Sequence, residues 1–183
     1  MINYKILDES LTFYEAKGFK RIEAPWTVSE YVDNITKPSD KISFQLKHND
    51  KCLVASGEQS FLYLYLKDFL PKGKFQTITP CFRYESFDFL HTKYFMKNEL
   101  IITDTVDDSN LNKIVDTALE FYSKYLPKND LTVVSDIHGF DIMYKEIELG
   151  SYGIRDCDFL EWIYGTGCAE PRLSKLIELY GLS

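Results

Sequence analysis

The 183 residues of this chain contain few cysteines and histidines, no long hydrophobic run and no excess of positive charge. Its four cysteines form no CxxC pair, and its three histidines are not clustered. Sparse, unpaired cysteines favour reduced, buried thiols over a disulfide framework or a zinc site. We therefore expect no structural zinc and no disulfides among Cys52, Cys81, Cys157 and Cys168.

A long hydrophobic run is missing as well. Residues 1–19 mix charges into their apolar pattern, which argues against a signal peptide or a membrane span and predicts a cytoplasmic protein that does not enter the membrane. Excess positive charge is also lacking, since the net charge is −7. Strong general nucleic-acid binding needs many Lys and Arg to neutralise phosphates, so only a small, local contact with nucleic acid remains open.

What the chain does contain is a globular composition. Hydrophobic residues make up 45% of it, with 13 Phe and 13 Tyr, which is enough to build a core and argues against disorder. A chain of this length buries roughly two thirds of the surface that it exposes when unfolded. Because we find no internal repeat, low-complexity tract or linker, residues 1–183 are predicted to form a single domain.

The apolar spacing predicts four main helices, at residues 7–17, 58–70, 108–126 and 172–182. A short helix followed by a loop is predicted for residues 26–40. Strands are predicted at residues 19–25, 75–85, 94–103, 131–134, 140–149 and 159–164, and a hairpin joins 42–46 to 52–55. Strands linked by short turns indicate an α+β fold, a mainly antiparallel β-sheet flanked by helices that pack on one face.

The strand pair at residues 75–85 and 94–103 carries an unusual set of polar side chains. Residues two apart on a strand point to the same face, so Arg83 lies beside Glu85, and Phe95, Lys97 and Glu99 share one face. A guanidinium suits a phosphate and an aromatic ring suits a base, which points to a nucleotide site. Taken alone, Arg83 and Glu85 also fit an ordinary exposed cross-strand pair.

Three stretches, in this order along the chain, resemble the three signatures of class II aminoacyl-tRNA synthetases. They are GFKRIEAP at residues 18–25, FRYE at 82–85 and GTGCAEPR at 165–172. The local spacing is most similar to the seryl-like branch, because SGE at 56–58 stands in the place of a Thr-x-Glu loop. The resemblance implies the catalytic fold of this family, without an anticodon-binding domain.

The resemblance also implies roles in binding ATP. Arg83 would hold the α-phosphate and the attacking carboxylate, Glu85 would accept a hydrogen bond from the adenine amino group, and Phe95 would stack on the adenine. Arg172 would pair with the γ-phosphate. His91 stands where the seryl branch has a second phosphate-contacting arginine. The alternatives without ligand binding are that Phe95 belongs to the core and that Arg172 is a solvated helix residue.

Further roles concern the metal and the amino acid. By resemblance, Glu148 with Ser151 would hold Mg²⁺, and Ser151 lies near the amino acid. Glu58 would bind the ammonium group of the amino acid, although a carboxylate there also suits the start of a helix. Glu99 would lie near the substrate side chain, which favours a small or polar amino acid because a large apolar one would bury that carboxylate unpaired.

The implied activity is that of a ligase that uses ATP and Mg²⁺ to activate an amino acid as an aminoacyl adenylate. The acceptor is either tRNA or a carrier protein, and a homodimer would form through residues 7–25. The alternative is a catalytically silent paralogue of the synthetases that binds nucleotide or amino acid, or regulates a partner.

Overall fold

A computed structural model of the chain describes residues 1–84, 93–137 and 139–182. Its helices are α1 (Tyr4–Ala16), α2 (Glu30–Thr36), α3 (Gly57–Leu66), α4 (Asp108–Tyr122) and α5 (Arg172–Leu179). Its strands are β1 (Lys20–Arg21), β2 (Thr27–Ser29), β3 (Lys51–Leu53), β4 (Lys74–Phe82), β5 (Tyr94–Ile102), β6 (Leu131–Asp136), β7 (Gly139–Tyr144), β8 (Ile147–Cys157) and β9 (Leu160–Glu170).

A seven-stranded sheet in the order β1-β4-β5-β9-β8-β7-β6 forms the centre of the fold. Its strand pairs are antiparallel except for the parallel pair of β1 with β4. Strands β2 and β3 form a small second sheet. The predicted α+β class, an antiparallel sheet flanked by helices, is therefore confirmed.

The helices cover both faces of the sheet, so the prediction that they pack on one face was wrong. The reason lies in the interior strand β5, whose side chains alternate between two apolar cores. Leu100 and Ile102 face the core that contains residues of α1, α4 and α5, whereas Ile101 faces the core that contains Val32 of α2 and Phe61 of α3. A strand that is apolar on both faces needs a cover on each side.

Three local predictions also need correction. The predicted partners 42–46 and 52–55 do contact each other, through a bridge from Gln45 to Cys52 and two backbone hydrogen bonds at 2.9 Å, but β3 also pairs with β2, which was not expected. Strand β2 precedes helix α2, where a short helix followed by a loop was expected. The predicted strand 140–149 is two strands, because the chain turns at Lys145 with a φ of 55°.

The end of β9 is fixed by a bulge against β5. The register shifts between Asn98 and Glu99, which leaves Gly167 as the extra residue on β9. A Cβ atom at Gly167 would lie 3.0 Å from the Tyr14 ring, and the Tyr14 hydroxyl donates to the Gly167 carbonyl at 3.1 Å. Helix α1 therefore holds the strand that leads into α5 and Arg172.

Among the helices that the structure describes, none combines the length and the apolar character needed to cross a membrane.

Candidate active site

A cleft of about 320 Å³ opens on the α3 side of the large sheet. Its described lining carries two acidic side chains, Glu58 and Glu148, and five basic ones, Lys37, Lys41, Arg83, Lys97 and Arg155. This balance is opposite to that of the whole chain, whose net charge is −7. A cleft that concentrates one sign of charge raises the local concentration of the opposite ion, so this cleft suits a polyanion.

Arg83 follows directly after β4 and lines the cleft. Its Nε donates to the Ala55 carbonyl at 3.2 Å, and its Cζ lies 5.2 Å from the centroid of the Phe95 ring. The structure thus brings together the arginine and the aromatic residue that the sequence proposed for a nucleotide. The other two nucleotide candidates on this strand pair, Glu85 and His91, lie outside the described residues.

Glu58 lies in the first turn of α3 and is only 4% exposed. Each of its carboxylate oxygens accepts a hydrogen bond: Oε2 from Nη1 of Arg155 at 2.6 Å, and Oε1 from the indole Nε1 of Trp162 at 2.7 Å. Burial raises the pKa of Glu58, while the Arg155 cation and the Trp162 hydrogen bond oppose that rise. The carboxylate at the start of α3 is therefore held in place by one side chain from β8 and one from β9.

Arg155 is a cleft residue that the sequence analysis did not single out. It lines the cleft, its guanidinium lies over the Tyr164 ring at 4.2 Å, and its side chain is 36% exposed. The sequence could have indicated Arg155, because it is four residues from the candidate Ser151 on one strand, and residues at that spacing point to the same face.

Glu99 lies one layer below the cleft, 1% exposed. Its Oε2 accepts a hydrogen bond from the Ser56 hydroxyl at 2.7 Å, and its Oε1 lies 2.9 Å from the Lys97 ammonium. Ser56 and Lys97 both line the cleft, whereas the buried Glu99 binds both of these side chains and does not itself line the cleft. A Cβ atom at Gly57 would lie 2.9 Å from the Cβ of Glu99, so the start of α3 packs tightly on this layer.

Arg172 is the first residue of α5, and its contact with Glu148 brings it to the same region. Its Nη1 donates to the Glu148 carbonyl at 3.0 Å and lies 3.5 Å from Oε1 of that residue. Glu148 and Ser151 both line the cleft. Hence Arg83 and Arg172, which are far apart in sequence, both belong to the surroundings of one cleft.

The metal proposal rests on few donors. Within the described residues, no group of three or more His, Cys, Asp or Glu side chains is arranged to hold a metal ion. The carboxylate of Glu148 and the hydroxyl of Ser151 are oxygen donors of the kind that Mg²⁺ prefers when substrate phosphates complete its ligand shell. Their chemistry therefore fits Mg²⁺ bound together with a nucleotide.

No protein-family model and no curated protein matches the sequence. The structure is similar to crystal structures of tRNA synthetases. Pyrrolysyl-tRNA synthetase from Desulfitobacterium hafniense matches with a TM-score of 0.73 and 20% identity, over 98% of this chain and 70% of that one. A second pyrrolysyl-tRNA synthetase structure from that organism matches with a TM-score of 0.74 and 16% identity, over 96% and 68%.

A seryl enzyme is also similar. Cytoplasmic serine-tRNA ligase from Naegleria fowleri, in complex with AMP, has a TM-score of 0.70 and 14% identity, over 93% of this chain and 52% of that one. Because pyrrolysyl and seryl enzymes both match, the seryl-like branch stays a prediction. The fold itself is that of the class II aminoacyl-tRNA synthetase catalytic domain.

Proposed function

We propose that this protein is an ATP-dependent ligase that activates an amino acid as an aminoacyl adenylate. The observation that carries the proposal is a basic cleft in an acidic chain. Arg83 lines this cleft and lies against the Phe95 ring, and Arg172 contacts the lining residue Glu148. These residues stand at the positions that match the synthetase signatures, on a fold of that kind. The solved neighbours are named as tRNA synthetases, one of them with AMP bound.

The proposed reaction requires the protein to position two substrates and to stabilise negative charge. A carboxylate oxygen of the amino acid attacks the α-phosphorus of ATP, a new oxygen–phosphorus bond forms, and the bond to the leaving pyrophosphate breaks. Because the carboxylate is already ionised at pH 7, no general base is required. Catalysis then depends on positioning and on donors that stabilise negative charge on the phosphate oxygens.

Arg83 suits this role because it lines the cleft directly after β4. Its Nε bond to Ala55 and its position over Phe95 fix its orientation. Phe95 offers a ring for the adenine, and Arg172 supplies a second cation for the γ-phosphate. We assign Glu85 to the adenine amino group and His91 to a phosphate on the resemblance alone.

The proposed metal site uses the oxygen donors of β8. Glu148 and Ser151 would hold Mg²⁺, with Arg172 keeping the backbone of Glu148 in place through its bond at 3.0 Å. When bound, the ion would neutralise charge on the phosphates. Ser151 would also lie near the amino acid.

The second step and the assembly are also proposals. The acceptor of the activated amino acid is either a tRNA or a carrier protein, and the homodimer would form through residues 7–25. A cytoplasmic location stays a prediction from the composition. The acidic balance of the chain favours an acceptor that needs only a small contact area, or a tRNA presented by a partner.

The test is amino-acid-dependent exchange of labelled pyrophosphate into ATP, run with each of the twenty amino acids. We expect exchange with at least one amino acid, and a loss of about 100-fold or more in Arg83→Ala, the usual cost of removing one donor that stabilises transition-state charge. Lys113→Gln, which removes a positive charge from α4 on the other face of the sheet, should retain exchange. Measurable ATP binding without any exchange would refute the proposed activity and favour a silent paralogue.

A further inference from the structure

We propose that the substrate is an amino acid with an acidic side chain, and that Arg155 binds its side-chain carboxylate. The inference rests on the proposed function and extends it to a substrate class. It starts from Arg155 of β8, which neither the sequence signatures nor the proposed activation step uses.

The guanidinium of Arg155 is held firmly but only partly used. Nη1 bonds to Glu58 at 2.6 Å, and the planar group lies over the Tyr164 ring. Among the described residues, no side chain or carbonyl accepts a hydrogen bond from its Nε or Nη2, and the side chain is 36% exposed in the cleft lining. An oriented guanidinium fork with free donors matches the geometry of a carboxylate.

The neighbouring Glu58 completes the pattern. Each oxygen of Glu58 accepts one hydrogen bond, and a carboxylate oxygen can accept a second, so the group can still take an ammonium. A carboxylate and a guanidinium side by side are complementary to an ammonium and a carboxylate side by side. An amino acid with an acidic side chain presents this pair, while its α-carboxylate remains for Arg83.

The position of Arg155 along β8 leaves room for this arrangement. Glu148, the proposed metal ligand, and Arg155 are seven residues apart on the same strand, so at about 3.3 Å per residue they are at most about 23 Å apart, and a bulge at Leu149 shortens this distance. Ser151 lies between them and also lines the cleft. The phosphate contacts and the side-chain contact would therefore occupy opposite ends of one cleft.

The expectation of a small or polar amino acid assumed that the Glu99 carboxylate faces the substrate. In the structure, other side chains lie between Glu99 and the cleft. Glu99 is covered by Ser56 and Lys97, so the group that the cleft presents at this point is an ammonium and not a carboxylate. An apolar substrate side chain would shield the Arg155 donors from water without offering an acceptor, and an amide or hydroxyl would offer one neutral oxygen where a carboxylate offers two charged ones. Sites built around such donors discriminate strongly against ligands that cannot satisfy them.

The experiment compares pyrophosphate exchange for aspartate, glutamate, asparagine, glutamine and serine. We expect an acidic amino acid to exceed its own amide by about 100-fold or more. In Arg155→Gln, exchange with the acid should fall by about 10- to 100-fold, because a charged hydrogen bond is lost, and the ratio of acid to amide should approach one. Arg155→Lys should lower the ratio less, and Lys113→Gln should not change it.

The outcomes separate this inference from the proposed function. Exchange that prefers serine or an amide over the acids would overturn the substrate class while leaving the proposed activity intact. Absence of exchange with all twenty amino acids would overturn both. An equal loss for every amino acid in Arg155→Gln would assign Arg155 to structure alone and refute its role in specificity. If Arg155→Gln does not fold, an unchanged ratio in Arg155→Lys would refute the same role.

Discussion

Replacing Arg155 by Met should destabilise the protein in a way that depends on pH. The change removes the cation that faces Glu58, which is 4% exposed, and leaves that carboxylate with one hydrogen bond, from Trp162. Removing one partner of a fully buried ion pair costs about 3–5 kcal/mol. Because the Arg155 side chain is 36% exposed, solvent screening lowers the expected loss to about 1–3 kcal/mol.

The pH dependence follows from the pKa of Glu58. Burial already raises this pKa in the folded protein, and the loss of Arg155 raises it further. The folded state then binds a proton more tightly than the unfolded state, so the free energy of unfolding falls as the pH rises through the raised pKa. The difference between Arg155→Met and the wild type should therefore be larger at pH 8 than at pH 5.

Urea unfolding at pH 5 and pH 8 measures both effects, and thermal melting provides a second readout. For a domain of this size, the expected loss corresponds to a decrease in Tm of about 3–10 °C. Lys113→Met serves as the control for loss of a surface charge, and adding Glu58→Gln to Arg155→Met should remove most of the pH dependence. Equal stability of Arg155→Met and the wild type at both pH values would refute the idea that this ion pair holds the carboxylate.

Three further predictions concern packing and thiol chemistry. Gly57→Ala should destabilise the fold by about 1–3 kcal/mol in urea unfolding, because its new Cβ would lie 2.8 Å from the Thr79 hydroxyl; unchanged stability would contradict this close packing. Trp162→Phe should cost about 1–3 kcal/mol at pH 8, since it removes a donor from a buried carboxylate, and should cost less at pH 5. Iodoacetamide at pH 7.5 should modify the partly exposed Cys157 first in the native protein. Burial raises the pKa of Cys81 to about 11 and should protect that thiol. Mass spectrometry of the peptides measures the order of modification, and modification of Cys81 before Cys157 would contradict the prediction.

Local patterns in the sequence were sufficient to predict the strands that carry the candidate residues Arg83 and Phe95. The two long strands at residues 75–85 and 94–103 correspond to β4 and β5, and the alternation along them brings Arg83 over Phe95. The glycine-rich stretch at residues 165–172 ends β9 and starts α5 at Arg172, as its resemblance implies. These features depend on neighbours along one strand or one turn, which is the range over which a sequence pattern is informative.

The missed features depend on contacts between distant segments. The cover on the second face of the sheet comes from α3, and nothing in its spacing states which face it will pack on. The hydrogen bond from Ser56 to Glu99 also joins residues that are 43 positions apart, so it forms only when α3 packs on β5. Arg155 is separated from Glu58 by 97 positions, so only the folded sheet reveals their pairing.

The formation of the adenylate itself tests the central claim most directly. Enzyme in excess over ATP should be mixed with Mg²⁺ and aspartate or glutamate, quenched, and examined by mass spectrometry. The account predicts an aminoacyl adenylate and an equal amount of pyrophosphate in the wild type, and formation of both products about 100-fold or more slowly in Arg83→Ala. ATP that remains intact with every one of the twenty amino acids, although it binds to the protein, would contradict the account.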